Sequence, residues 1–408
     1  METSTSIYIH IPFCKHRCAY CDFNTYAGQE IMIPAYVNAL IKEIEWIGNQ
    51  PTRPSGYSTI KTIFFGGGTP SLLSGPQFAS IMSALSSAFA LSADAEVTIE
   101  ANPGTISPAK LDAIRKAGIN RISFGVQSTV TEELRMLERE HDFFTVIEAV
   151  STARKAGFDN LNLDLIYALP QQTLTSWQTT VKRALELHPE HISAYALTLE
   201  HGTPFGKWAD KGLLPLPDPD LAADMYEWTM DYLPQSGYAQ YEISNWALNR
   251  HASSAVHGLP SLACKHNVQY WRSLPYLGLG AGAHGYAGGY RYSNALRIKT
   301  YIDRLDHSQS ANLPFPLTPA TVNHHRQTLQ DDISDYMINN LRLVEVGVEE
   351  ADFRSRFGSG LSDVYPKEMD ELIHAGLIEQ KTSENSEVFR LTRRGRLLGN
   401  QVFLRFLG

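Results

Sequence analysis

The sequence predicts an α/β fold in which a partial (β/α)6 barrel is followed by a smaller α+β region and a C-terminal winged-helix-like module. Three observations support this prediction. Short apolar runs alternate with amphipathic segments from residue 7 to about residue 200. Polar and glycine-rich motifs follow these runs, as binding residues do at the C-terminal ends of barrel strands. Beyond residue 318 the pattern changes to helices followed by a small hairpin.

The apolar runs have the length of strands, and the segments between them have the periodicity of helices. A strand followed by a helix, repeated along the chain, is the pattern of parallel βαβ units with right-handed crossovers. The predicted strands are Ile7–Ile11, Ile60–Phe65, Glu96–Ala101, Arg121–Val126, Asn160–Tyr167 and His191–Leu199. The predicted helices are Ala35–Ile47, Gly75–Phe89, Ser107–Ala117, Phe143–Ala156 and Ser176–Leu187.

Three domains are predicted, because 408 residues exceed one ordinary core. The barrel is assigned to residues 1–212, where a Pro- and Gly-rich stretch marks its edge. Residues 213–317 form an extension with a predicted helix, Leu221–Leu233, and a predicted strand, Tyr238–Ala247. Residues 318–408 form the last module. Its predicted helices are Asn323–Asn340, Glu349–Phe357, Pro366–Ala375 and Arg393–Phe406, with a hairpin through Ser383, Glu384 and Asn385 that returns as the strand Val388–Leu391.

The composition is that of a soluble globular protein, with 43% hydrophobic and 19% charged residues. No apolar run reaches the length of a membrane span, and the N-terminal METSTS lacks the features of a signal peptide. Low cysteine use predicts the reducing cytoplasm. The net charge of −8 argues against nucleic acid as a partner. Residues 321–408 agree, with 14 Asp plus Glu against 11 Lys plus Arg.

Three cysteines, Cys14, Cys18 and Cys21, lie within eight residues of the loop after the first predicted strand. Their C-x3-C-x2-C spacing lets one tight loop direct three thiolates to one centre. A disulfide framework needs even pairing, and a structural zinc site needs a fourth ligand that the nearby sequence does not supply. Chance clustering of buried thiols is the weakest alternative. An iron–sulfur cluster fits better, because thiolates are its normal ligands. Three ligands leave one iron of a four-iron cluster open to a small molecule.

Further motifs follow the later strands and would open on the same rim of the barrel. They are Gly66–Pro70, Glu100–Gly104, Gly125–Ser128 and Asp164. Each motif has a structural alternative: the glycines could form a turn that needs positive φ, and Glu100 could be a solvated carboxylate. Asp164 alternates with apolar residues and is predicted to face the barrel lumen, where a carboxylate without a function would be costly.

The cysteine motif, with Tyr20 directly before the third cysteine, resembles the radical S-adenosylmethionine (SAM) superfamily. The flanking segments YIHIPFC and YCDFNTY resemble the branch that holds oxygen-independent coproporphyrinogen III oxidases and the HemW heme chaperones. The resemblance implies a radical-SAM barrel with a 4Fe-4S cluster on the three cysteines and SAM at the open iron. In such proteins an electron from the cluster can cleave SAM to a 5′-deoxyadenosyl radical. The cofactor carries that chemistry, and the protein supplies position and electrostatics.

The resemblance also implies particular SAM contacts. The GGGTP turn would hold the methionine moiety, and Glu100 would bind polar groups of SAM such as the ribose hydroxyls. The guanidinium of Arg139 is a natural partner for the SAM carboxylate, although a salt bridge on a helix surface is the alternative. The implied SAM-binding residues are Tyr8, Tyr20, Gly67, Gly68, Thr69, Glu100, Gln127, Arg139 and Asp164.

A second unusual region runs from His251 to Asn294. It contains CKHNVQYW at Cys264–Trp271 and the segment YLGLGAGAHG at residues 276–285. The glycines predict a backbone that can approach a large ligand, and the nearby aromatic residues offer flat apolar faces. By spacing alone, His266 is a hydrogen-bonded core residue or an axial heme ligand. The resemblance of HN-x-x-YW to a motif associated with heme binding in the HemW branch favours the ligand. Cys264 is expected to be a buried inert thiol.

Two functions are consistent with this resemblance. The first is a heme chaperone that binds heme and transfers it to acceptor proteins. The alternative is an oxygen-independent coproporphyrinogen III dehydrogenase, which decarboxylates two propionates. The oxidases carry a further cysteine two positions after the third, whereas Asp22 and Phe23 follow Cys21 here, and their longer N-terminal arm is missing. Dehydrogenase activity is therefore not expected. The expected partners are heme, a heme acceptor, a reductant for the cluster and, in a homodimer, a second copy of the chain.

Overall fold

The computed structural model describes residues 5–249, 258–307, 312–382 and 386–407. Contacts divide the chain into two compact units. The first unit contains Met1–Ala222 and Pro275–Arg326, and the second contains Ala223–Leu274 and Gln327–Gly408. The extension predicted at residues 213–317 is therefore shared between the two units. The first residues of the region that begins at His251 lie outside the described residues, as does the hairpin tip at Ser383, Glu384 and Asn385.

The first unit is built on parallel strands that pair in sequence order, which confirms the predicted α/β class. The order is β1-β4-β5-β6-β7-β8, and every neighbouring pair is parallel. The short strands β2 and β3 form a separate parallel pair. The bounds are β1 (Thr5–Ile11), β2 (Phe13–Cys14), β3 (Tyr26–Ala27), β4 (Thr59–Gly67), β5 (Ala90–Ala101), β6 (Arg121–Gln127), β7 (Leu161–Tyr167) and β8 (His191–Ala196).

The helices between these strands begin at local sequence signals. Ser74, Ser107, Asp142 and Thr173 each accept a hydrogen bond from a backbone N–H in the first turn of the following helix. The cap at Thr173 starts its helix two residues before the predicted Ser176. The bounds are α1 (Ile33–Gly48), α2 (Gly75–Ala88), α3 (Pro108–Lys116), α4 (Thr131–Met136), α5 (Phe143–Lys155), α6 (Leu174–Leu185) and α7 (Pro204–Asp210).

Helix α8 (Pro219–Gln235) leads into the second unit, where strands β9 (Tyr238–Glu242) and β10 (Asn245–Leu248) form an antiparallel hairpin. The prediction of one strand over Tyr238–Ala247 is wrong, because the chain reverses at Ile243 and Ser244. The Glu242 carboxylate stabilises this turn by accepting the Ser244 N–H at 2.9 Å. Helix α9 (Lys265–Trp271) follows the hairpin along the chain.

The chain then returns to the first unit and widens its sheet beyond β1. Strand β11 (Tyr276–Leu279) pairs with β1 in parallel, and β12 (His284–Ala287), β13 (Tyr290–Asn294) and β14 (Thr321–Arg326) continue antiparallel. Helix α10 (Ile298–Asp306) lies between β13 and β14 in the sequence. The helix predicted from Asn323 is therefore wrong over its first four residues, which pair with β13 instead.

The remainder of the second unit is helical with a small sheet. Helix α11 begins after Thr328, whose hydroxyl accepts the Asp331 N–H while the Asp331 carboxylate accepts the Thr328 N–H. The small sheet has the order β15-β17-β16, so helices followed by a hairpin form the predicted winged-helix-like arrangement. The predicted last helix is divided into α15, α16 and a 3-10 turn, Leu404–Phe406. The bounds are α11 (Leu329–Asn340), β15 (Val348–Glu349), α12 (Glu350–Phe357), α13 (Leu361–Val364), α14 (Pro366–His374), β16 (Ile378–Thr382), β17 (Glu387–Leu391), α15 (Arg393–Leu397) and α16 (Gly399–Phe403).

None of the described helices is both long and apolar enough to cross a lipid bilayer.

A buried carboxylate on α1 joins the added strands to the barrel. Glu43 is fully buried and accepts four hydrogen bonds, all from the part of the first unit after residue 274. The donors are the Gly280 N–H at 2.8 Å, Asn294 Nδ2 at 2.7 Å, the Tyr301 hydroxyl at 2.7 Å and the Thr318 hydroxyl at 2.9 Å. Burial raises the pKa of the Glu43 carboxyl, and these donors oppose that effect.

The glycines of residues 276–285 allow close packing within the chain, and the prediction that they approach a ligand is wrong for two of them. Gly280 has φ +97°, and a Cβ there would lie 2.5 Å from the His10 carbonyl oxygen and 2.6 Å from the Tyr36 hydroxyl. Gly282 has φ +79°, and its Cβ would collide with the Asn24 amide. Asn24 Nδ2 in turn donates to the Ala281 carbonyl at 3.1 Å. This segment therefore supports the end of the cysteine loop.

Replacing Glu43 by Ala should lower the free energy of unfolding by roughly 3 kcal/mol, because four buried donors would lose their acceptor. Urea unfolding of the full chain measures this loss. The neighbouring variant Lys42→Ala is the control, since it removes only an exposed salt bridge to Asp306. Lys42→Ala should lower the free energy of unfolding by less than about 1 kcal/mol. Equal losses in the two variants would show that the Glu43 network contributes little.

Candidate functional site

A cavity of about 480 Å³ opens at the carboxyl ends of the barrel strands. Side chains from all six parallel strands or from the loops that follow them form its wall. The predicted site residues that line it are Cys14, Cys18, Cys21, Tyr20, Gly67, Gly68, Thr69, Glu100, Gln127, Arg139 and Asp164. Tyr8 and His266 do not line it. The motifs that the sequence predicted for one rim of the barrel therefore do lie together around this cavity.

Cys14 ends β2, and Cys18 and Cys21 lie in the tight loop between β2 and β3. The Cys21 N–H donates to the Cys18 carbonyl at 3.1 Å, which closes a turn. Cys14 is 8% exposed and receives a hydrogen bond from the Thr69 hydroxyl, with oxygen and sulfur 3.6 Å apart. Cys18 and Cys21 are half-buried, and the guanidinium of Arg139 lies 3.7 Å from the Cys18 sulfur. All three thiols thus face the same cavity.

The three thiols line one cavity and suit a 4Fe-4S cluster, in which each thiolate binds its own iron. Among the described residues, no three His, Cys, Asp or Glu side chains form a site for a single metal ion. Burial raises the pKa of the Cys14 and Cys21 thiols, so binding a cluster to the thiolates releases protons.

The glycine-rich turn after β4 holds the cysteine loop in place. The Gly68 N–H donates to the Ile11 carbonyl at 2.8 Å, and the Thr69 N–H donates to the Phe13 carbonyl at 2.7 Å. A Cβ at Gly68 would lie 2.6 Å from the Phe13 oxygen and 3.1 Å from the Cys14 sulfur. Two amides that the sequence suggested for ligand binding are thus bonded to β1 and to β2, and β2 carries the first cysteine. The space above Gly68 is taken by that strand.

The His10 ring packs against the same glycine-rich turn on the side away from the cavity. Gly67 has φ +112°, and a Cβ there would lie 2.5 Å from the His10 ring. His10 Nε2 donates to the Asn24 carbonyl at 2.9 Å, and Nδ1 accepts the Tyr8 hydroxyl at 2.9 Å. A carbonyl only accepts hydrogen bonds, so the proton lies on Nε2 of a neutral ring. Burial lowers the pKa of His10 accordingly. The Tyr8 hydroxyl is therefore bonded behind the cavity wall, and its contact with SAM stays a prediction.

Two carboxyl groups face the cavity. Glu100 Oε2 accepts the Gly67 N–H at 3.0 Å. Burial, reinforced by the nearby Asp164, raises the pKa of Glu100 to about 8, so this group is protonated at neutral pH. Asp164 accepts hydrogen bonds from the Ser123 hydroxyl at 2.7 Å and from Asn162 Nδ2 at 2.8 Å. Burial raises the pKa of Asp164 as well. The pair favours a ligand that brings positive charge or hydroxyl donors into the cavity.

Arg139 lies in the cavity wall and not on a helix surface. Its Nη2 donates to the Gly125 carbonyl at 2.8 Å, while Nε is buried and has no hydrogen-bond partner among the described residues. A carboxylate ligand would satisfy that donor. Gln127 and Glu138, which also line the cavity, have φ of +68° and +54°. Positive φ in residues other than glycine costs energy and is concentrated at binding sites.

The sequence analysis missed part of the wall. Ser123 lies on the same face of β6 as Gly125 and Gln127, and strand alternation would have identified it. Tyr195, Leu197, Thr198 and Glu200 line the cavity after β8. Their residue types carry no signal, so the barrel closure alone brings them to the site.

His266 is a buried residue of the second unit. Its side chain is 1% exposed, and Nε2 forms a hydrogen bond with the Tyr270 hydroxyl at 2.9 Å. The two rings meet edge to face at 4.9 Å. This is the hydrogen-bonded arrangement that the sequence left open as the alternative. Heme ligation by His266 through Nε2 stays a prediction, and it requires the bond to Tyr270 to break. Cys264 is fully buried.

Comparison with known proteins shows which families the chain is similar to. The model of the radical SAM superfamily matches residues 8–184, and the model of the HemN C-terminal domain matches residues 327–398. The heme chaperone HemW of Bacillus subtilis is 39% identical over 404 residues, which cover 99% of each chain. HemW of Escherichia coli is 33% identical and covers 98% of each chain. The structure of the coproporphyrinogen III oxidase HemN from E. coli matches with a TM-score of 0.80 and 26% identity, covering 99% of this chain and 90% of that chain.

Replacing Gly67 by Ala should weaken SAM binding at least about tenfold, because positive φ and the His10 ring both exclude a side chain there. Calorimetric titration of the cluster-reconstituted protein with SAM measures this effect. Gly104→Ala is the control, since no atom lies within 4 Å of a Cβ at Gly104 and its φ is not positive. If the two substitutions weakened SAM binding equally, SAM binding would not depend on the absence of a side chain at position 67.

Replacing Glu100 by Gln should change how stability depends on pH. The folded state keeps the Glu100 proton up to about pH 8, whereas the unfolded chain loses it near the ordinary Glu pKa. The wild type should therefore lose stability as pH rises through this window, and the variant should lose roughly 1–3 kcal/mol less between pH 6 and pH 9. Urea unfolding of the cluster-free protein measures this difference. Asp112→Asn, at an exposed carboxyl, is the control and should keep the wild-type slope.

Proposed function

Because the chain belongs to the HemW heme chaperones of the radical SAM superfamily, we propose that it binds heme and transfers it to an acceptor protein. The observation that carries this proposal is the similarity to HemW over nearly the whole length of both chains. The protein carries a 4Fe-4S cluster and SAM as cofactors, as its superfamily does. We assign both cofactors to the cavity at the carboxyl ends of the barrel strands.

Cys14, Cys18 and Cys21 supply the three thiolates of the cluster in this proposal. A bound cluster would supply an electron that can cleave SAM reductively. Arg139 lines the cavity, and its guanidinium is a good partner for the SAM carboxylate. Glu100 and Asp164 accept hydrogen bonds from ligand hydroxyls and favour the positive charge of a sulfonium. The charged and polar groups of the cavity thus complement the carboxylate, the hydroxyls and the sulfonium of SAM.

The fold alone does not separate a heme chaperone from a coproporphyrinogen III oxidase, because HemN shares it. Sequence identity is higher with HemW, at 39% and 33%, than with HemN, at 26%. Phe23 also stands where the oxidases carry a further cysteine, and its side chain lines the cavity while 62% exposed. The cluster end of this cavity therefore lacks the extra thiol of the oxidases. Both observations favour heme handling.

The proposal implies partners that the cavity does not identify. A heme-acceptor protein receives the cargo, and a reductant supplies the electron to the cluster. We place the protein in the cytoplasm, because thiolate ligands and an oxygen-sensitive cluster require reducing conditions. A homodimer is the proposed assembly, in which the cluster state controls association or heme release.

Anaerobic incubation of the reconstituted protein, with either hemin alone or coproporphyrinogen III plus SAM and a reductant, tests the function. We expect a stable heme complex and no conversion of coproporphyrinogen III. Absorbance spectroscopy detects the heme complex, and chromatography of the porphyrins detects turnover. Formation of protoporphyrinogen would establish the dehydrogenase instead.

Cysteine variants serve as controls for the cluster. Cys14→Ala, Cys18→Ala and Cys21→Ala should each lose the visible absorbance of the reconstituted cluster, because one iron would lose its ligand. Cys264→Ala should keep it, since this fully buried thiol lies in the second unit. A cluster that survives in a Cys14, Cys18 or Cys21 variant would remove the assignment of that residue.

A further inference from the structure

We propose that heme binds on the inner face of strands β11–β14, where the iron takes an imidazole from His284 or His325. We call this surface the heme face and define it by Tyr276, His284, Tyr286, Arg291 and His325. The proposal rests on the function proposed above and names the site of the cargo. It assigns heme to the first unit and not to His266.

The strand register places these residues on one face. Tyr286 of β12 lies opposite Tyr276 of β11 and Arg291 of β13, and Arg291 lies opposite His325 of β14. Directly opposed residues project to the same side of a sheet. The row crosses three strand spacings, about 14 Å in all, so a flat macrocycle can lie across it. His284, two residues before Tyr286, projects to that side as well.

The heme face continues the lumen side of the barrel. Tyr276 pairs with Ser6 and Gly278 pairs with Tyr8, so this side carries Tyr8 and His10 on β1. Burial chiefly, and the nearby His284 imidazole in addition, lower the pKa of His10. His284 is therefore close to the ring that supports Gly67 in the cavity wall. Heme on this face would lie on the same side of the sheet as the SAM cavity, although none of the described residues of β11–β14 lines that cavity.

The chemistry of the face suits a metalloporphyrin with carboxylate side chains. His284 and His325 are exposed, and imidazole is a common axial ligand of heme iron. The guanidinium of Arg291 lies 5.0 Å from the centre of the Tyr286 ring, which holds it in position. Arginine pairs with carboxylates such as the propionates of heme, and tyrosine rings offer flat apolar area to the macrocycle.

The opposite face of the same strands has a structural role. Tyr292 is buried there, its hydroxyl accepts the Gly278 N–H at 2.9 Å, and its ring fills the space above Gly285. His324 also lies on that side, with its ring 6.0 Å from that of Tyr290. His324 is exposed and directly precedes His325. It therefore provides a matched control that differs mainly in the face to which it projects.

Hemin titration of the full-length, cluster-reconstituted protein tests the proposal. The double variant His284→Ala/His325→Ala should lose the heme absorption spectrum of the wild type and bind hemin at least about tenfold more weakly. Arg291→Gln should weaken binding about tenfold while keeping the spectrum, because it removes a charged hydrogen bond and not the ligand. His324→Ala should bind as the wild type does. The single variants His284→Ala and His325→Ala identify the ligand, and SAM binding checks that each variant is folded.

The outcomes separate this proposal from the chaperone function. A double variant that keeps the wild-type spectrum and affinity would overturn the heme face and leave the chaperone function standing. An equal loss in His324→Ala would overturn it as well, since the two faces would then be equivalent. Loss of the spectrum in His266→Ala, with the double variant unaffected, would transfer the ligand to the second unit. A wild-type protein that binds no hemin would overturn both proposals.

Discussion

The buried carboxylate of Glu43 is the constraint on which the arrangement of the first unit depends. A carboxylate removed from water is costly unless its hydrogen bonds are complete. Its four donors lie on β13, on α10 and in the loops at Gly280 and Thr318, all in the segment added beside the barrel, so that addition has one favourable position. In that position Gly280 and Gly282 contact His10 and Asn24. The end of the cysteine loop is thus held by a network centred on α1.

The cavity divides its tasks between backbone and side chains. Backbone amides of Gly68 and Thr69 bind β1 and β2, which lead to the first cysteine, and side chains from the other strands face the ligand space. Several of these side chains are held at an energetic cost. Glu100 and Asp164 have raised pKa values in a buried setting, and Gln127 has positive φ. A ligand that satisfies these groups stabilises the protein by binding to the folded state alone.

The same barrel serves a porphyrin-oxidising enzyme and a heme chaperone, so function depends on features added to the fold. Two such features are prominent here. Phe23 occupies the place of a further cysteine at the mouth of the cavity. The strands beside β1 present histidine, arginine and tyrosine on the lumen side, and Tyr292 is buried on their other side. Strand β11 pairs with β1, so the lumen side of the barrel sheet extends onto the added strands.

The sequence by itself determined the alternation of strands and helices and most of the predicted residues that line the cavity at the strand ends. These features depend on local spacing: C-x3-C-x2-C lies in one loop, and alternating apolar runs predict strands without knowledge of their partners. Tertiary structure decided what depends on distant contacts. Residues Thr321–Arg326 form a strand because β13 offers an edge to pair with, although the pattern from Asn323 onward suggested a helix. Glycines at 280 and 282 serve close packing, and the Tyr8 hydroxyl is bonded to His10, because chain segments far apart in sequence meet there. Long-range pairing and burial are not encoded in any single stretch of sequence.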